Sequence, residues 1–361
     1  MRILLDCRPL QAAGPDAERS RLIFFAAAAL SASEGFEWVL VTDHHYRRGL
    51  FPALPGRVVI RRVLPGRAGW RWWYDRQLPR VAKQQGVDRV WLTGGIAGEM
   101  GVPVCLWMPE RVTPVDGGGG RGAGTLFRNR LRQSLERAAA VVCYSERDRL
   151  WLDGLGPVGK VKMLTAVADE SIGMMPAAEK EKIKAERLEG REYFLADLTG
   201  CGEEDVVNLL KAFSLFKKRQ RSGMRLVLAG GPGLVDGVAG RLKTYKYRQD
   251  VDWTGAVPAG AAYAVLFPVE GNSLGKALLN VWKAGVPVIA AAGGIMEEMA
   301  QGAVLTAVSG DPAALAAQLM RIYKEEDLRQ RLIGKGFERL KVYSRENFLQ
   351  VLRVITEIGP G

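Results

Sequence analysis

The sequence predicts a two-domain α/β protein in which each domain is built on a doubly wound parallel sheet. Short, β-branched apolar segments alternate with longer helical segments along almost the whole chain, which is the order that βαβ units produce. The length of 361 residues fits two domains of ordinary size. Apolar residues make up 48% and charged residues 25% of the chain, a balance that excludes disordered and fibrous architectures.

The first domain is expected to comprise residues 1–168, and it opens with a buried strand at Arg2–Asp6. The other strands are predicted at Trp38–Thr42, Val58–Ile60, Arg89–Leu92, Pro103–Trp107 and Ala140–Cys143, and the helices at Asp16–Ala32, Tyr74–Gln85 and Leu126–Ala138. The glycine run Gly117–Gly120, with Gly122 and Gly124 after it, predicts a flexible loop over the carboxyl edge of the sheet.

The second domain is expected to comprise residues 169–342, and a final helix at 343–361 is expected to complete the first domain. The stretch Ala166–Arg187 has no strand signal and predicts a connection that runs into a helix. Strands are predicted at Tyr193–Ala196, Arg225–Ala229, Val251–Trp253, Ala264–Phe267 and Val288–Ala290, and helices at Glu203–Arg219, Leu274–Ala284 and Pro312–Glu325.

The positive charge is concentrated in the first domain. The whole chain carries 51 basic and 39 acidic residues, a net charge of +12, and residues 1–168 carry 25 and 15 of these, a net +10. Two interpretations remain open: general solubility, or a surface that meets the phosphates of lipid headgroups or nucleic acid.

Cysteine and histidine usage argues against disulfides and metal sites. The four cysteines are isolated and flanked mostly by apolar residues, which predicts buried thiols in a reducing compartment. The two histidines, His44 and His45, exclude a site with several histidine ligands. The longest apolar run, Leu22–Leu30, is far shorter than the roughly 20 residues of a membrane span. We therefore expect a cytoplasmic protein without a signal peptide.

One segment carries a family resemblance. Val265–Ile289 reads VLFPVEGNSLGKALLNVWKAGVPVI and resembles the sugar-nucleotide block of the family 4 (group 1) retaining glycosyltransferases, E-G-F-G-L-P-x-x-E-A-x-A-x-G-x-P-V-I. Supporting segments are Arg225–Gly231, Trp253–Gly255, Asp311–Lys335, Asp6–Gln11 and Ala140–Ser145. The resemblance implies a GT-B fold, with two Rossmann-like domains facing across a cleft.

Charged positions of the family pattern are changed here. The family's Arg and Lys after the first strand of the second domain fall on Thr199 and Glu204, and Asp197–Asn208 contains no basic residue. The two family glutamates fall on Asn272 and Asn280. The first-domain histidine of the family is absent, and the glycine-rich loop after the first strand is thinned.

The resemblance implies the following candidate residues. Nucleotide-sugar binding is expected of Thr199, Gly230, Gly231, Glu270, Asn272, Ser273, Leu274, Gly275 and Asn280. The catalytic candidates are Glu110 and Glu270. A plain turn at Gly230 and Gly231, or a helix N-cap at Asn272 or Ser273, remains an alternative. The donor would be a UDP- or GDP-sugar, without a metal or other cofactor.

An Arg- and Trp-rich segment, Arg57–Arg80, is the candidate acceptor or membrane side. The residues assigned to it are Arg67, Trp70, Arg71, Trp72 and Trp73, with Gly14 from the thinned loop. Arg beside Trp is typical of a membrane interface or a lipid-linked acceptor, but core packing with solvated charges and nucleic-acid binding stay open.

Two functions follow from the resemblance. The first is a metal-independent, retaining glycosyltransferase that transfers a sugar to a cell-envelope or exopolysaccharide acceptor, with peripheral contact to an anionic membrane at its inner face. The second is a catalytically degenerate relative that binds a sugar nucleotide, a glycan or a partner transferase. The changed charges favour the second, and the nucleotide block fits both.

Overall fold

The computed structural model describes residues 1–13, 17–42, 54–60, 69–108, 121–155, 161–230, 234–253, 257–270 and 274–357. The chain divides into two compact units. Unit 1 comprises Met1–Thr165 and Arg345–Gly361, and unit 2 comprises Ala166–Ser344. The sequence predicts the domain boundary after residue 168 and places the start of the helix that completes the first domain at residue 343.

Unit 1 is built on a seven-stranded sheet in the order β3-β2-β1-β4-β5-β6-β7, with every pair parallel. Its strands are β1 Arg2–Asp6, β2 Glu37–Thr42, β3 Gly56–Ile60, β4 Arg89–Leu92, β5 Val104–Trp107, β6 Ala140–Cys143 and β7 Val161–Met163. Most of these strands are buried on both faces, as expected where helices cover a parallel sheet.

The helices of unit 1 connect these strands and include one unusual turn. They are α1 Arg8–Ala13, α2 Glu18–Glu34, α3 Gly69–Trp72, α4 Leu78–Gln85, α5 Arg121–Arg137, α6 Glu146–Asp153 and α14 Arg345–Glu357. A π-helical turn, Trp73–Gln77, joins α3 to α4. Between the sheet and its helices, the Trp91 ring lies 5.0 Å from the Trp38 ring and 4.6 Å from the Trp107 ring, between centroids.

Unit 2 repeats the architecture with a six-stranded parallel sheet in the order β10-β9-β8-β11-β12-β13. Its strands are β8 Tyr193–Asp197, β9 Arg225–Ala229, β10 Val251–Trp253, β11 Ala264–Phe267, β12 Val288–Ala291 and β13 Leu305–Ala307. Its helices are α7 Ala177–Leu188, α8 Glu203–Gln220, α9 Leu234–Thr244, α10 Lys276–Lys283, α11 Ile295–Ala300, α12 Pro312–Lys324 and α13 Glu326–Val342.

The core of unit 2 explains why these segments fold as they do. Helices α8 and α12 pack together on one face of the sheet and bury Phe213, Phe216 and Leu319 against β8 and β11. Asp311 caps α12 by accepting hydrogen bonds from the backbone N–H groups of residues 313 and 314 at 2.8 and 3.1 Å. Pro at the first helical position completes this start signal.

The predicted alternation of strands and helices is confirmed, with one correction at a glycine-rich segment. Gly122 and Gly124, predicted as part of a loop, lie inside α5. The Gly117–Gly120 run itself lies outside the described residues. No prediction covers β7, β13, α1, α3, α6, α9, α11 or α13. Most of these elements are short, and the two longer ones, α9 and α13, each contain two glycines. No helix in the described part of the chain is long and apolar enough to cross a membrane.

Candidate functional site

The strand order of unit 2 locates its candidate site. From β8 the chain moves outward to β9 and β10, then crosses back to β11 on the other side of β8. The carboxyl ends of β8 and β11 therefore form a topological switch point, where open parallel sheets bind ligands. The segments after β8, β9 and β11 contain most of the residues predicted to bind a sugar nucleotide.

Thr199 and Gly230 lie together at this edge, after β8 and β9. The Thr199 N–H donates to Asp197 Oδ1 at 2.9 Å, which closes a tight turn at the end of β8. Gly230 has a φ of +79°, and a Cβ at this residue would lie 3.7 Å from Thr199 Oγ1. The two residues thus present backbone at an exposed corner of the sheet.

Glu270 follows β11 and lines a small hollow. This hollow, about 240 Å³ and open to solvent, lies between the ends of β11 and β12 and the start of α11. A Cβ on Gly294 would come within 2.8 Å of Glu270 Cγ, so the glycine leaves room for this side chain. A larger hollow of about 350 Å³ lies between the starts of α8 and α12 and the carboxyl ends of β11, β12 and β13, and none of the predicted site residues lines it.

The start of α10 is fixed by a glycine. Gly275 has a φ of +80°, and a Cβ there would lie 2.1 Å from Met299 Sδ. Conformation and packing therefore both require glycine at this position. Leu274, which precedes it, is only 2% exposed, so its side chain belongs to the core.

Asn280 anchors the connection that enters unit 2. Its Oδ1 accepts a hydrogen bond from the Asp169 N–H at 2.8 Å. The Lys283 Nζ donates to the carbonyl oxygens of Asp169 and Glu170 at 2.8 and 3.1 Å. Hydrogen bonds from Ser171, together with the charges of Lys276 and Lys283, hold the pKa of Asp169 below its ordinary value. One face of α10 is thereby bound to residues 169–171.

The loop after β8 is acidic. The first turn of α8 contains Glu203, Glu204 and Asp205, and Asp205 Oδ2 accepts from the Gly202 N–H at 2.8 Å as a helix cap. Burial, with the nearby carboxylates, raises the pKa of Cys201 to about 12. This thiol therefore stays protonated at neutral pH.

Several predicted residues lie outside the described part of the chain. These are Gly14, Arg67, Glu110, Gly231, Asn272 and Ser273. Trp70 lies in α3, and its side chain is likewise not described. Glu110, one of the two catalytic candidates, and the Asn272–Ser273 pair therefore stay predictions.

The Arg- and Trp-rich segment divides into a buried side and an exposed side. Arg71 is exposed and Trp72 is half-buried, whereas Trp73 has no exposed surface. The assignment of Trp73 to a membrane-facing surface is wrong, because the residue is completely buried and its indole N–H donates to Asp6 Oδ1 at 3.2 Å.

Sequence reasoning missed the polar cluster around Asp6 at the switch point of the first sheet. Asp6 ends β1 and is completely buried, and its Oδ1 also accepts from the Arg8 N–H at 3.3 Å. Thr93, which follows β4, donates its hydroxyl to the Asp6 carbonyl oxygen at 2.7 Å. Burial raises the pKa of Asp6 to about 7, against the lowering effect of the Arg8, Trp73 and Tyr74 groups. The sequence feature that could have indicated this cluster is a carboxylate, Asp6, at the end of an apolar strand.

No cluster of three or more His, Cys, Asp or Glu side chains that could hold a metal ion occurs among the residues with a described position. The polar groups at the edge of the second sheet are hydroxyl, amide, carboxylate and ammonium groups with exposed backbone. They are suited to hydrogen bonding with a polar ligand.

Most of unit 2 is similar to a known protein family. Residues 180–339 match the family model described as Glycosyl transferases group 1. O-antigen chain mannosyltransferase B of Escherichia coli is 24% identical over 228 residues. The alignment covers 60% of this chain and 60% of that enzyme.

Solved structures match the whole chain at low identity. The glycosyltransferase of Rickettsia africae has a TM-score of 0.72 at 12% identity, with 99% of this chain and 98% of that one covered. Anabaena HepE in complex with UDP-glucose has a TM-score of 0.69 at 12% identity, over the same shares. Sucrose-phosphate synthase of Thermosynechococcus elongatus has a TM-score of 0.68 at 16% identity, again over 99% and 98%. The predicted GT-B fold class is confirmed.

Proposed function

We propose that this chain, whose second unit is a group 1 glycosyltransferase domain, transfers a sugar from a nucleotide-sugar donor to a glycan acceptor. The observation that carries the proposal is the carboxyl edge of the second sheet. There, Thr199 and Gly230 lie together after β8 and β9, and α10 follows β11, the other strand at the switch point. All of them lie within the matched residues. The donor binds at this edge through exposed backbone, hydroxyl and amide groups.

The proposed reaction exchanges one bond at the anomeric carbon. The bond from this carbon to the β-phosphate oxygen breaks, and the nucleoside diphosphate leaves with the electron pair. An acceptor hydroxyl oxygen bonds to the same carbon and releases its proton. The family resemblance supports two further parts of the proposal: the anomeric configuration is retained and no metal is needed. Binding of UDP-glucose by Anabaena HepE supports a nucleotide-sugar donor.

A growing cell-envelope polysaccharide or exopolysaccharide is the proposed acceptor. Similarity to an O-antigen chain mannosyltransferase supports this class of acceptor. The exposed arginines of unit 1, including Arg71, Arg76 and Arg80 on the α3–α4 segment, support contact with anionic lipid at the inner face of the membrane. The protein would then be cytoplasmic and peripherally bound.

Vesicle binding tests the membrane contact. Basic groups near an anionic surface contribute about 1 kcal/mol each, so the triple change Arg71→Gln, Arg76→Gln and Arg80→Gln should weaken binding to anionic vesicles by roughly two orders of magnitude. The same charge change in unit 2, at Arg219, Arg241 and Arg331, is the control and should have a smaller effect. Equal binding to neutral and anionic vesicles would contradict the proposed contact.

A specific observation favours a second function, binding without catalysis. The segment after β8 has no basic residue and begins α8 with three carboxylates, where the family places the cations that stabilise the leaving diphosphate. A protein with this loop could retain the donor fold to bind a sugar nucleotide, a glycan or a partner transferase.

Thermal unfolding with nucleoside diphosphates tests the donor site. UDP or GDP at millimolar concentration should raise Tm by mass action. Asn280→Ala should reduce the shift, because the family pattern assigns this position to donor binding. Release of nucleoside diphosphate from UDP- or GDP-sugars with an oligosaccharide acceptor then separates the two functions. No Tm shift with either nucleotide would contradict the donor site, and binding without turnover would support the second function.

A further inference from the structure

The segments that directly follow the six strands of the second sheet contain a single basic residue. In the sequence, the segments that leave the strand ends and enter the next helices or strands contain one Lys and no Arg. These segments are 198–206, 230–240, 254–263, 268–276, 292–300 and 308–315. The exception is Lys276, the first residue of α10.

Lys276 begins the helix that follows one of the two strands at the switch point. It follows β11, which pairs directly with β8. Gly275 fixes the backbone immediately before it, since neither the φ of +80° nor the contact with Met299 tolerates a side chain. The Lys276 side chain is exposed, so its ammonium group is accessible from solvent.

Lys276 shares a helix face with Asn280. Residues 276, 280 and 283 are spaced by four and three positions, which places them along one side of α10. The contacts agree, because Asn280 and Lys283 bind the backbone at Asp169, and the charges of Lys276 and Lys283 both act on the Asp169 carboxylate. Lys276 therefore lies on the side of α10 where the family pattern places its second glutamate.

We propose that Lys276 binds the diphosphate of the donor and takes over the role of the basic pair that is missing after β8. This inference rests on the proposed donor site. An ammonium group forms charge-assisted hydrogen bonds with phosphate oxygens and stabilises the negative charge that grows as the diphosphate leaves. A diphosphate carries more charge than the Asp169 carboxylate and competes with it for the lysine.

Lys283 provides a matched control. It lies on the same helix face and acts on the same Asp169, but at the opposite end of α10. The separation along the helix axis is roughly 10 Å at 1.5 Å per residue. Lys283→Ala therefore removes the same charge from the same helix face, at a distance from the first residue of α10.

The experiment compares nucleotides that differ by one phosphate. Calorimetric titrations of UDP and UMP, and of GDP and GMP, are made on the wild type, Lys276→Ala, Lys276→Arg and Lys283→Ala, at low salt with a chelator present. We expect Lys276→Ala to weaken diphosphate binding about tenfold while monophosphate binding changes little. Lys276→Arg and Lys283→Ala should stay close to the wild type, and added salt should reduce the difference.

The possible outcomes separate this inference from the proposed function. If the wild type binds UDP or GDP and Lys276→Ala binds it equally well, the role of Lys276 is overturned. An equal loss of diphosphate and monophosphate binding also overturns it, because it indicates a change in the fold of the site. If the wild type binds neither nucleotide, the donor site itself fails, and the role of Lys276 fails with it.

Discussion

The two sheets of this protein share one strand pattern, but the switch point is buried in the first sheet and exposed in the second. In each, the first strand is central, the next two strands lie on one side and the remaining strands lie on the other. At the edge of the first sheet, Asp6 is completely buried and its carboxylate is bound by groups from Arg8 and Trp73. At the edge of the second sheet, Thr199, Glu270 and Lys276 are exposed.

The difference shows that strand topology creates a switch point in each sheet, whereas the side chains around it decide whether a ligand can enter. A π-helical turn carries Trp73 onto Asp6, and a side chain on Gly94 would collide with the Tyr74 hydroxyl at 2.0 Å. The first edge is therefore closed around its own polar groups. The second edge leaves polar groups and backbone open to solvent, which fits the donor site proposed there.

The largest expected effect comes from Asp6 and is a dependence of stability on pH. The folded state raises the pKa of this carboxyl from 3.8 to about 7, so the folded protein keeps a proton that the unfolded chain releases in this range. The free energy of unfolding should therefore fall by about 4 kcal/mol as pH rises from 4 to 8. Asp6→Asn should lack this contribution, so its stability relative to the wild type should rise with pH.

Denaturant unfolding of both proteins across this pH range measures the effect. Asp153→Asn, which removes an exposed carboxylate of the same unit, controls for the change of charge. Parallel pH profiles for Asp6→Asn and the wild type would show that the first edge is open to water, and the contrast between the two sheets would then disappear.

A smaller effect is expected at the second edge, where Gly275 fixes the start of α10. Gly275→Ala should destabilise the protein by about 2–4 kcal/mol, because it combines a left-handed backbone with a collision against Met299. Gly293→Ala, with a φ of +84° and nothing within 4 Å of the added methyl, isolates the backbone contribution and should cost about 1–2 kcal/mol. Equal losses in denaturant unfolding would mean that Met299 moves aside and the second edge is adaptable.

Much of the fold could be predicted from the sequence, because its central strands are short, continuous apolar runs. The predicted bounds of β4, β6, β9 and β11 agree with the structure. Segments with little apolar surface, such as β13 with only three residues, carry no comparable pattern. The glycines of α5 show the opposite failure, since a helix can contain glycine where its other residues favour it.

The candidate site was less predictable, because its contacts join residues far apart in the chain. Asn280 is unusual inside a helix, but nothing in its neighbours indicates that its amide binds Asp169, more than a hundred residues earlier. The burial of Trp73 likewise involves Asp6, 67 residues earlier in the chain. The family pattern identifies the charged positions that have changed in this chain. It does not identify Lys276, which occupies none of the family's charged positions.

The tryptophans of the first sheet make the two units optically distinguishable. Of the nine tryptophans, Trp253 and Trp282 belong to unit 2 and the others to unit 1. Trp91 and Trp107 have ring centroids 4.6 Å apart, close enough for their electronic transitions to couple. Near-ultraviolet circular dichroism should therefore follow the packing of unit 1, while nucleotide binding to unit 2 should leave that signal almost unchanged.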